Sequence, residues 1–151
     1  MKKNIFLAFA ASLFSFFAFA FDSSKMAKPF VSPKLEQALY NEFGNVDQVQ
    51  WSKSYDNTTE ASIKVDGQSV QAYFNEDGEY VCSTMQMEKE NLPLKLRLAI
   101  DKQLPNIGIS AILQKSSAEG TAYFFQGIDG KSIKVWKATA DGQIEVFKKL
   151  K

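Results

Sequence analysis

The sequence predicts an α+β fold: a tandem repeat of two helix-plus-four-strand units that form one antiparallel sheet with both helices on one face. Three observations carry this expectation. An apolar helical stripe recurs 61 positions further on. Short segments alternate apolar and polar residues, as half-buried strands do. Asp-Gly pairs punctuate those segments at matching places, and Gly accepts the positive φ of tight hairpin turns.

The first helix should begin at Ser32, a good N-cap, with Pro33 at the first helical position, where a missing N–H costs nothing. Leu35, Ala38, Leu39 and Phe43 form its apolar stripe, and Gly44 is placed to end it. A step of 61 residues carries that stripe onto Leu96, Ala99, Ile100 and Leu104. The same step takes Gly44 to Pro105, Asn45 to Asn106 and Val46 to Ile107. Agreement at so many positions marks two copies of one unit.

Val49 and Trp51 open a first strand. Ala61, Ile63 and Val65 interleave with Glu60, Ser62, Lys64 and Asp66 in a second, and Val70, Ala72 and Phe74 with Ser69, Gln71 and Tyr73 in a third. Tyr80 to Met87 makes a fourth. The second copy reads Gly108 to Lys115, Thr121 to Ile128, Ser132 to Ala138 and Ile144 to Leu150. Asp66-Gly67 corresponds to Asp129-Gly130, and Asp77-Gly78 to Asp141-Gly142, so each copy carries at least two hairpin turns. One unit of about 60 residues buries too little apolar surface to stand comfortably alone. Residues 32–88 and 89–151 should therefore join in a single body, with Glu88 to Asn91 turning the chain into the second helix.

The chain also carries an address. Lys2 and Lys3 precede an apolar run from Ile5 to Phe19, and Ala18-Phe19-Ala20 supplies the small-x-small pattern that signal peptidase reads. The run approaches the ~20 residues that span a bilayer, but no basic stop-transfer cluster follows it closely. A signal peptide over residues 1–20, cut after Ala20, is the expectation, with no stable membrane anchor left after cleavage and a periplasmic or secreted destination. Residues 21–31 show no usable periodicity and read as a flexible leader.

Composition removes several function classes. The 151 residues hold 18 basic and 17 acidic side chains, a formal charge of +1. Cleavage would remove Lys2 and Lys3, leaving 16 basic against 17 acidic residues, and would discard six of the 13 Phe. A near-neutral chain with a single Arg, Arg97, is poorly equipped for nucleic acid, and none is expected as a partner. With no His and one Cys, imidazole chemistry, His-containing metal sites, Cys-rich zinc clusters and intrachain disulfides all drop out. No metal, cofactor or catalytic set can be assembled, and the protein is read as not an enzyme. Glu76, Asp77 and Glu79 belong to a solvated hairpin turn, Ser69 and Ser132 to strand starts, and Cys82 reads as a small buried apolar residue.

The alternation leaves aromatic residues for the side of the sheet away from the helices. If Val70, Ala72 and Phe74 face the helices, Tyr73 faces away, and the same register turns Trp136 away from Ile133 and Val135. Tyr123 and Phe125 are assigned to that outer side in the second copy, with Phe147, Met85 and Met87 beside them. Tyr73, Tyr123, Phe125 and Trp136, near Lys64, Lys134 and Gln71, have the composition of a protein-binding patch. Cross-strand aromatic pairs also stabilise a sheet by ~0.2–1 kcal/mol each without binding anything. A second copy of the same chain could cover the face, giving a homodimer.

The stretches PKLEQALYNEFGNVDQVQW, VDGQSVQAYFNEDGEY, LPLKLRLAIDKQLPN and IDGKSIKVWKATADGQIEVF span most of residues 33–150. Their order of helix, breaker, aromatic-bearing strand and two Asp-Gly turns, then all of it again, resembles the PepSY-like domain family of small exported bacterial proteins. That family is similar in fold to β-lactamase-inhibitor protein. The resemblance implies a tandem αβ4 fold, a periplasmic or secreted address and no cofactor. The expected function is an exported, non-enzymatic binding or inhibitor-like module that engages an envelope or secreted protein or peptide through its open sheet face. The alternative is a small-ligand carrier or envelope stress protein with an apolar pocket between helices and sheet.

Overall fold

The computed structural model describes residues 31–53, 57–130 and 132–150. The expected signal peptide, and all of the expected leader but Val31, lie outside these residues. Helix α1 (Pro33–Phe43) is followed by β1 (Gln50–Lys53), β2 (Thr59–Val65), β3 (Gln68–Phe74) and β4 (Tyr80–Met87). A 3-10 turn (Lys89–Asn91) leads into α2 (Leu94–Gln103). Then come β5 (Gly108–Ser117), β6 (Gly120–Asp129), β7 (Ser132–Ala138) and β8 (Ile144–Leu150). The eight strands form one antiparallel sheet in sequence order, so every neighbour is a chain neighbour.

The local signals act as their chemistry requires. Ser32 Oγ accepts the Leu35 N–H at 3.4 Å, and Pro33 occupies the first turn of α1. Gly44 ends α1 at φ +71°, its N–H donating to the Tyr40 carbonyl at 2.8 Å. Between β2 and β3, Asp66 and Gly67 both take positive φ (51° and 81°), the backbone of a tight two-residue hairpin whose twist matches its strands. At the β3–β4 and β7–β8 turns the same bonds recur. Asn75 N–H donates to the Glu79 carbonyl, and Gly78 N–H to the Asn75 carbonyl; Thr139, Gln143 and Gly142 repeat both contacts, all at 3.0–3.1 Å. In each turn the first side chain also accepts a backbone N–H, Asn75 Oδ1 from Glu79 and Thr139 Oγ1 from Gln143. The carboxylates Glu76, Asp77 and Glu79 are exposed, with Glu79 Oε2 accepting from Asn75 Nδ2 at 2.9 Å, which gives this cluster a turn-building role.

Two apolar cores result. Leu35, Ala38, Leu39 and Phe43 of α1 pack on Ala61, Ile63, Val70, Ala72 and Phe74, with Met85 at the margin. Leu96 and Ile100 of α2 pack on Ile112, Tyr123, Phe125, Trp136 and Ala138, with Met87 and Leu104 at the margin. Among the described residues, no helix is long and apolar enough to cross a membrane.

This second core overturns part of the expected binding patch. Tyr123, Phe125 and Trp136 do not face away from α2: they form the floor on which it rests, and Phe125 and Trp136 are only 1% and 3% exposed. Met85 and Met87 likewise belong to the helix-packed cores and not to an outer face. The physical reason is a slip of one residue. In β2–β3, Val65 pairs with Gln68, so Asp66 and Gly67 form the turn. In β6–β7, Asp129 itself pairs with Ser132, so it is part of the strand and the connection begins at Gly130. Matching the two Asp-Gly pairs thus sets the second hairpin one residue out of step, and one residue exchanges the faces of a strand.

Candidate protein-binding face

The register defines what lies on the side of the sheet opposite α2. Leu113, Phe124, Lys137 and Glu145 form one cross-strand row over β5 to β8. Ala111, Gln126, Val135 and Lys148 form a second, and Ile128, Ile133 and Leu150 a third. Phe124 and Val135 are buried, while Ile128, Ile133 and Phe147 are 56%, 38% and 37% exposed.

A bulge places Phe147. The pairing steps from Trp136↔Val146 to Val135↔Lys148, leaving Phe147 as the extra residue of β8. A bulge turns its strand and re-aims side chains there. The ring of Phe147 lands edge-on against Phe124, with centroids 5.2 Å apart and planes at 76°. The result is a set of apolar side chains with lysines beside it. The expectation that Phe147 lies on the outer side agrees with this contact. Lys134, expected nearby, is instead ion-paired with Asp129.

Of the four residues proposed from the sequence, only Tyr73 lies on the side opposite its own helix. It alternates with Ala72 and Phe74, which pack under α1, and its cross-strand partners are Glu60 and Cys82. Tyr73 and Cys82 are buried, with Val81 packed against them. Tyr73 belongs to a different cluster from Tyr123, Phe125 and Trp136, which pack under α2. Residues that sequence reasoning missed are Phe124, Ile128 and Ile133. Ile128 and Ile133 flank the Gly130 connection, and two large apolar residues framing a solvated turn are a readable signal.

Glu60, facing Tyr73, is a buried carboxylate. Burial raises its pKa from the ordinary value, and the hydrogen bond from Ser62 Oγ to Glu60 Oε1, at 3.3 Å, pulls the other way. Among the described residues no group of three or more Cys, Asp or Glu side chains gathers as a metal site would require.

A concavity of about 280 Å³ opens at the end of α1, where Phe43, Val70 and Met85 meet Asp66, Ser83 and Ser116.

No family model matches the chain, and no curated protein matches it. Solved structures do. A BLIP-like protein from Bacteroides fragilis superposes with a TM-score of 0.72 at 14% identity, covering 85% of this chain and 91% of its own. A Bacteroides eggerthii protein provisionally assigned to the periplasm gives 0.67 at 14% identity, covering 81% and 89%. A DUF2874 family protein from Bacteroides ovatus gives 0.70 at 12% identity, covering 81% and 88%. At such identities these are likenesses of fold, and the chain shares its overall fold with a solved BLIP-like protein.

Proposed function

We propose that this chain is an exported, non-enzymatic binding module. It engages a protein or peptide through the sheet side opposite α2, with Phe147, Ile128 and Ile133 as apolar anchors and Lys137 and Lys148 at the rim. The observation that carries this reading is that these three side chains are exposed together although neither helix-packed core uses them. Large exposed apolar residues grouped on one surface are what interaction sites present. The BLIP-like neighbour supports an inhibitor-like role, and the neighbour assigned to the periplasm supports a periplasmic or secreted address.

The architecture behind this face is read as two copies of one αβ4 unit with both helices on one side. The matching turn bonds around Asn75 and Thr139 support the duplication. Met85 and Met87, two residues apart in β4 and packed with α1 and α2 respectively, support a shared helix side.

A photo-crosslinker at position 147, and in a second sample at Leu98 on α2, tests the reading in the native envelope. The reading expects a discrete adduct from position 147, lost when Ile133→Ser is added, and none from position 98. Equal labelling from both positions, or an adduct indifferent to Ile133→Ser, overturns it. An adduct whose mass is twice that of the chain identifies a second copy as the partner.

A further inference from the structure

The concavity at the end of α1 has chemistry of its own. Phe43, Val70 and Met85 supply apolar walls, and Ser83 and Ser116 supply a polar one. That polar wall is already internally bonded: the Tyr80 hydroxyl donates to Ser83 Oγ at 2.9 Å, and Gln114 Nε2 donates to Ser116 Oγ at 3.3 Å. Gln68 and Gln114 complete that polar wall, and charge separates the ligands that could fit.

Among the described residues, Asp66 is the one charged side chain in the lining. The last turn of α1, which carries the negative end of the helix dipole, has no basic residue to offset it. Glu42 sits in that turn, and its charge reaches the Tyr80 phenol, adding to the burial that keeps the phenol protonated. We propose that this cavity binds a small organic cation, a primary amine on a short apolar tail, with the tail against Phe43, Val70 and Met85 and the ammonium directed to Asp66. A carboxylate on the same tail meets three sources of repulsion. A neutral alcohol gains only the apolar contact.

Three probes of six carbons each separate these cases: hexylamine, hexanol and hexanoate, each titrated into the purified protein and followed by amide chemical shifts. Hexylamine should give saturable shifts at Val70, Met85 and Gln114, hexanol weaker ones, and hexanoate none that saturate. Asp66→Asn should weaken hexylamine by about threefold, the scale of one solvent-exposed ion pair, and leave hexanol unchanged. Asn tolerates the positive φ at position 66, so the hairpin survives this change. Added salt should also weaken hexylamine selectively. Hexanoate binding as well as hexylamine, an Asp66→Asn protein of unchanged amine affinity, the absence of saturable shifts, or shifts centred elsewhere would each overturn the proposal. Phe147→Ser should not alter amine binding, which keeps this site separate from the sheet-face reading.

Discussion

The indole of Trp136 stacks on the ring of Phe125 beneath α2, centroids 5.7 Å apart and planes 16° apart. Both are fully enclosed, and rings of this size dominate the energy of the core they occupy. Trp136→Ala should therefore destabilise the fold by about 3–5 kcal/mol. Some ~0.5–1.5 kcal/mol of that belongs to ring stacking, beyond the loss of buried area. Trp136→Phe should retain most of the stability. Urea unfolding followed by circular dichroism measures both, and a cost for Trp136→Ala within about 0.5 kcal/mol would place the indole at the surface instead.

Much of the fold was legible because local chemistry and global packing agree in it. Ser32, Pro33 and Gly44 mark α1 unaided, and the alternation from Glu60 to Phe74 finds the α1-facing side of β2 and β3, although Glu60 and Tyr73 on the other side are buried and not solvated. The second half was harder for a physical reason. Tyr123-Phe124-Phe125 is apolar on both faces, as is Val135-Trp136, so neither stretch offers a polar side by which to orient its strand. Orientation then rested on equating two Asp-Gly pairs, yet Asp66 enters its turn while Asp129 stays in its strand. What settles the matter is the footprint of α2, which needs Tyr123, Phe125 and Trp136 under Leu96 and Ile100. That is a tertiary fact with no trace in the local pattern. The same slip accounts for the wrong aromatics on the binding face, whereas Phe147 owes its position to the bulge in β8.

Gly127 gives a second test of this packing. A Cβ there would lie 2.6 Å from Ile107 Cγ2, 3.0 Å from the Gly108 carbonyl and 3.3 Å from the Trp136 ring. Its φ is not in the left-handed region, so only space forbids a side chain. Gly127→Ala should cost about 1–3 kcal/mol through overpacking. Shrinking the neighbour in Ile107→Ala/Gly127→Ala should recover part of it, a coupling readable in a double-mutant cycle. Strict additivity of the two changes would show that the methyl finds room elsewhere.

Phe147 should behave in the opposite way to Trp136. It is partly exposed, and among the described residues its one aromatic contact is the edge-on ring of Phe124. Phe147→Ser should cost no more than about 1 kcal/mol, the range of a single cross-strand pair. Under the proposed function, its effect falls on binding and not on stability. Thermal unfolding of Phe147→Ser beside Trp136→Ala decides this, since equal drops in midpoint would mean that Phe147 is a core residue.

Glu60 predicts how stability depends on pH. Its carboxyl is buried, and in the folded chain its pKa stands above the ordinary value that it regains on unfolding. Between the two values the folded state holds more proton than the unfolded one, so stability falls as pH rises through that window. Above that window the fold carries the cost of an ionised, desolvated carboxylate; below the ordinary Glu value of ~4.3 that cost is gone. Glu60→Gln removes the titration. The variant should be more stable than the parent at pH 7, with the gap narrowing as the pH approaches 4 and closing below it, apart from any fixed effect of the amide. Urea midpoints of both proteins at pH 4, 5, 6 and 7 provide the check, and a gap that stays constant over that range, or widens toward acid, would mean that Glu60 is not held above its ordinary pKa.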